Sequence, residues 1–84
     1  MNPFVQQMIN HKINTLTPKQ LQNLGSQYQV NITIEQARQI IDILHHEPIN
    51  IADETQRKRL LNKIAKEVDP SVAQKTKKLL EEFI

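Results

Sequence analysis

An all-α fold of about five short helices around a central apolar helix is what this chain of 84 residues predicts, and three observations carry it. Apolar residues recur at intervals of three and four along most of the chain, the spacing of one face of a helix. Helix-start chemistry recurs at Asn2-Pro3, at Thr17-Pro18, at Thr33 with Gln36, at Asp53 with Gln56, and at Asp69-Pro70. Finally, residues 34–45 place Ile34, Ala37, Ile40, Ile41, Ile43 and Leu44 over roughly half of a helix circumference. A helix that apolar has to be surrounded by others. The predicted spans are 3–14, 18–29, 34–46, 53–68 and 70–83, in a single domain over residues 1–84.

The first helix opens on Pro3, whose missing N–H costs nothing in the first turn, with Asn2 as its cap. Val5, Ile9 and Ile13 form one stripe, continued by Leu16, and Phe4 and Met8 lie beside it, so the apolar face is broad for so short a helix. The plain reading is a core-facing helix; the alternative is an interaction or dimer surface. The second helix starts at Thr17-Pro18-Lys19-Gln20 and directs Leu21, Leu24 and Tyr28 inward. Gly25, the only glycine, marks a close approach of another segment or a left-handed helix end, with close packing favoured.

Val30-Asn31-Ile32 and Ile49-Asn50-Ile51 both read apolar-Asn-apolar just before a helix start. Their β-branched residues allow a very short β bridge between 30–32 and 49–51. Neither loop has the carboxylate series and terminal Glu that calcium requires. In the fourth helix Leu60, Leu61, Ile64, Ala65 and Val68 make the inner stripe. In the fifth Val72, Ala73, Thr76, Leu79, Leu80 and Phe83 point inward, with Lys77 and Glu81, like Lys78 and Glu82, spaced for surface pairs.

Composition narrows the function classes. The chain has no Cys, so it has no disulfide, no thiolate metal site and no cysteine nucleophile. One glycine excludes phosphate-cradling loops. No stretch approaches the roughly 18 apolar residues of a membrane span, and residues 1–30 lack a secretory pattern, so a cytoplasmic location and no membrane are expected. Eleven basic against nine acidic residues leave a net charge of +2, a weak pull towards nucleic acid.

Met1-Asn2-Pro3 with Gln6-Gln7-Met8, Lys12-Ile13-Asn14-Thr15, Gln27-Tyr28-Gln29, Thr33 to Ala37, and Lys63-Ile64-Ala65-Lys66-Glu67 resemble the short uncharacterised YqfT-like proteins of Bacillus-type bacteria. The resemblance spans nearly the whole chain. It rests on helix caps and core positions, implies a cytosolic helical protein, and carries over no catalytic residue.

Two surfaces stand as candidate sites. Arg57, Lys58, Arg59, Lys63 and Lys66 put five positive charges into ten residues without an acid. Arg59, Lys63 and Lys66 share the outer face, extended by Lys75, Lys77 and Lys78 if the last two helices pack antiparallel; such a patch could neutralise phosphates. Arg57 falls inside the apolar arc, where it snorkels or caps a neighbour. Scarce aromatics and the near-neutral total weigh against nucleic acid. The other candidate is the apolar face of the first helix, Phe4, Val5, Met8 and Ile9, with the uncharged amides beside it. His45 and His46 are adjacent and so cannot form the i, i+4 pair of a helical metal site; they favour the negative end of the helix dipole. No metal, no cofactor and no catalytic residue is expected. The resulting expectation is a non-enzymatic protein-interaction module or assembly subunit, partnered by another protein or by itself, with nucleic-acid binding through Arg59, Lys63, Lys66, Lys77 and Lys78 as the alternative.

Overall fold

Five helices make up the computed structural model, which describes residues 2–82: α1 (Pro3–Asn14), α2 (Pro18–Gln27), α3 (Ile34–Leu44), α4 (Glu54–Glu67) and α5 (Pro70–Glu81). Phe83, placed inward by its spacing, lies outside the described residues. Every start signal works as local chemistry dictates. Asn2 accepts from the Phe4 N–H at 2.8 Å. Thr17 with Gln20, and Thr33 with Gln36, form complete reciprocal capping boxes. Asp69 accepts from the Ser71 N–H and hydroxyl. Asp53 caps α4 through the Gln56 N–H, but the Gln56 side chain reaches elsewhere, so this box is only half closed.

α3 is the centre. It packs against both α2 and α4, and Ala37 and Ile40 on it are fully buried. α4 and α5 form the tightest pair, a hairpin joined through Val68-Asp69, in which Leu60 and Ile64 lie beside Thr76 and Leu80. Thr76, buried at this contact, returns its hydroxyl to the Val72 carbonyl at 2.9 Å.

The second helix ends two residues earlier than its spacing predicts. Gln29 adopts the left-handed region (φ 59°), the Val30 N–H bonds to the Gly25 carbonyl at 2.7 Å, and the Gln29 N–H bonds to that of Ser26. This is the Schellman termination with Gln in the position where Gly is usual. Gly25 does serve close packing: a Cβ there would stand 2.6 Å from the Val30 carbonyl oxygen. Tyr28, beyond the helix, is exposed rather than inward. α3 likewise stops at Leu44, with His45 as its C-cap.

No β bridge forms between 30–32 and 49–51, and among the described residues there is no strand. The apolar residues are buried as the pattern implies, but the backbone groups a bridge needs are already taken. The Val30 N–H is held by Gly25, both polar groups of Ile49 by Asn14, the Ile51 N–H by Asn10, and the Ile51 carbonyl by Arg57. Residues 48–51 are thus a core-filling loop that side chains, rather than a second strand, keep hydrogen-bonded.

Candidate functional site

The first helix is anchored along one flank. Gln6, Asn10 and Asn14 recur at intervals of four and so line one side of α1. Asn14 donates to the Ile49 carbonyl at 3.2 Å and accepts its N–H at 2.8 Å. Asn10 accepts the Ile51 N–H at 2.7 Å, and Gln6 donates to the Asn50 side chain at 3.0 Å. From the other side Gln56 accepts the Asn50 N–H and donates to the Pro48 carbonyl and to Glu47. His45 joins the end of α3 to α1 through a 3.1 Å contact between its Nε2 and the Ile13 carbonyl. Ile13 and the following Leu16 are buried.

With that flank held, the opposite arc of α1 faces out. Phe4 is 76% exposed, Met8 65% and Val5 47%, while Ile9 is half-buried at the boundary with the core. All four candidate residues therefore share one helix arc, the first three standing in solvent. The arc runs into a shallow groove between α1 and α2, lined by Ile9, Lys12, Ile13, Leu16 and Leu24 with apolar surface. No residue from Asn2 to Asn10 carries a charged side chain. The amides predicted to flank this face are partly used within the fold, Gln6 and Asn10 in the anchor, Gln20 and Gln36 in capping boxes. Composition does not distinguish anchor from surface, although amides one turn apart at 6, 10 and 14 are a readable signal.

The basic candidates are distributed over α4 and α5 and partly neutralised. Arg59 donates to Glu47, and Lys63 stands 3.9 Å from Glu67. Lys66, Lys77 and Lys78 form no ion pair with another described residue, and the spaced pairs Lys77 with Glu81 and Lys78 with Glu82 are not closed. Arg57 snorkels as its position implies, donating to the Ile51 carbonyl. Its charge belongs to the loop, not to the patch.

Hydrogen bonds displace the proton affinity of three carboxyl groups, all downwards. The Glu47 carboxyl is held below its usual range chiefly by the hydrogen bond from Arg59, then by Gln56. Glu54 is lowered by Lys58, and Asp69 by the Ser71 side chain and backbone. Among the described residues no three His, Asp or Glu side chains gather in a metal-holding group, and no helix is long and apolar enough to cross a membrane. An open depression of about 500 Å³ between α2 and the start of α3 is lined by polar residues including Asn23, Ser26 and Asn31, with Lys75 beside them.

Residues 1–84 match a family described as a protein of unknown function (DUF2624). The uncharacterized protein YqfT of Bacillus subtilis (strain 168) is 28% identical over 78 residues, which cover 93% of this chain and 93% of that protein. No solved structure matches the chain.

Proposed function

Because the chain belongs to the DUF2624 family, whose description assigns no activity, we propose its role from its surface: a non-enzymatic protein-interaction module of the cytoplasm whose recognition face is the outer arc of α1. One observation carries this reading. Phe4, Val5 and Met8 stand exposed together on a helix whose opposite flank is hydrogen-bonded to the protein. Single exposed apolar residues are ordinary, whereas a contiguous group on a fixed helix resembles the anchor set of a helix-mediated contact. Residues 2–10 carry no charged side chain, which lowers the desolvation cost of covering them; the nearest charge on the same arc is Lys12, at the edge of the groove.

The test is affinity retention of protein from cytosolic extract, with and without nuclease, at low and high salt. Retention that survives nuclease and high salt, and is lost in a Phe4→Ser/Met8→Ser variant, supports the role. Retention unchanged in that variant contradicts it.

Lys66, Lys77 and Lys78, which have no ion-pair partner among the described residues, favour a second reading as a nucleic-acid-binding surface. Pairing of Arg59 and Lys63 with acids weakens it, because those charges are already met. It predicts binding that falls steeply with salt and is lost on Lys66→Glu/Lys77→Glu/Lys78→Glu substitution. Binding equal to wild type in that variant would sink it.

A further inference from the structure

Apart from α1, we infer that the depression between α2, the start of α3 and α5 binds an extended peptide segment that carries a carboxylate. The segment 30–32 supplies the first observation. It is neither helix nor turn, its residues alternate buried, exposed, buried as a strand's do, and Thr33 after it is extended (φ −72°, ψ 159°). Asn31 and Ile32 make no hydrogen bond, through backbone or side chain, to another described residue. The matching segment 49–51 differs, because side chains of Asn10, Asn14, Gln56 and Arg57 hold its backbone. An extended residue presents its N–H and C=O on the same edge, the pair that an added strand takes up with two bonds. Asn31 is exposed, so such a strand can reach it.

The depression beside this segment supplies the second observation. It measures about 500 Å³, and residues 30–33 share its lining with Gln22, Asn23 and Ser26 of α2, Gln36 of α3 and Lys75 of α5. Amides suit a peptide backbone, since each both donates and accepts. Lys75 is the one charged side chain in this lining, is half-buried, and forms no ion pair with another described residue. Its influence on Asp69 is the smallest of those that lower that carboxyl, which Ser71 already holds. A carboxylate entering the depression therefore meets a cation that the fold leaves unpaired. A helix fits less well as the occupant, because its own backbone groups are paired internally and would leave those of Asn31 unmet.

Selection of random linear peptides of about seven residues on the immobilised full chain tests this, followed by titration of the selected peptides into isotope-labelled chain observed by NMR. The selected peptides should carry Asp, Glu or a required free C-terminus and should shift the Asn31 and Ile32 amide signals. They should lose at least about tenfold in affinity for Lys75→Gln, and for Ser26→Glu, which sets a like charge on the exposed α2 wall. Circular dichroism checks that both variants keep their helices. N-methylation scanned along the peptide should abolish binding at the position that pairs with Asn31. Amidating the peptide's C-terminus separates the two sources of carboxylate: lost binding assigns the chain end, unchanged binding a side chain. Peptides that ignore both substitutions, bind as helices or leave the Asn31 and Ile32 signals in place overturn the inference, as does a selection without a binder. Peptides that bind through Phe4 and Met8 instead overturn it while leaving the α1 face standing.

Discussion

Asn14 and Ile49 hold each other by two hydrogen bonds: the side-chain amide of one donates to the backbone carbonyl of the other and accepts its N–H, across 35 residues of sequence. Ile49 is buried, so neither backbone group has water as a ready substitute. Asn14→Ala should therefore destabilise the chain by about 1–3 kcal/mol in urea unfolding. Asn14→Asp, which keeps the acceptor but sets a carboxylate against the Ile49 carbonyl, should not restore it. An alanine variant as stable as wild type would show that the loop does not need this anchor.

Two positions at the end of α2 make opposite predictions. Gln29 holds a positive φ, which Gly adopts without the Cβ penalty. Gln29→Gly should be stabilising or neutral, within about 1 kcal/mol, because relief of strain is partly offset by a more flexible unfolded chain. Gly25→Ala gains helix propensity but drives a Cβ against the Val30 carbonyl oxygen; a net loss of roughly 1–3 kcal/mol is expected. Chemical denaturation of the two single variants decides both.

Acid should destabilise the fold in a defined direction. Glu47, Glu54 and Asp69 have folded-state affinities for protons below their ordinary values of 4.5 for Glu and 3.8 for Asp. The unfolded chain thus binds protons more readily, and the stability these groups contribute is complete above the ordinary values and lost as pH falls through the lowered ones. Urea midpoints should decline as pH falls below about 5. Asp69→Asn and Glu47→Gln should each flatten the acid limb; an unchanged limb in both would contradict the assignment.

Local chemistry made most of the fold legible. Each cap at Asn2, Thr17, Thr33, Asp53 and Asp69 bonds a backbone N–H within three residues, so sequence proximity is enough to predict it. The burial of α3 follows from its own periodicity. The end of α2 was not legible because Gln29 stands where a glycine would have announced the turn. The bridge failed for a different reason: apolar-Asn-apolar reports which side chains are buried and says nothing about what holds the backbone. The holders, Asn10 and Asn14, lie 41 and 35 residues from their partners. Arg59 reads as part of a basic patch for the same reason, since its partner Glu47 lies on a preceding loop. The outer arc of α1 was legible as a broad apolar stripe, but only the fold shows which part faces out. Phe4, Val5 and Met8 remain in solvent because the amide flank, not the full stripe, fixes the helix.

The Met8 methyl signal offers the most direct measurement, recorded by NMR on methionine- and valine-methyl-labelled chain at increasing concentration and again with cytosolic extract, and assigned with a Met8→Leu variant. An interaction face on α1 predicts that this signal shifts or broadens as the face is covered, while signals from Val72 in the α4–α5 core stay in place. A Met8 signal unchanged up to about 1 mM and in extract would contradict it, and would leave the exposed arc of α1 without a binding role.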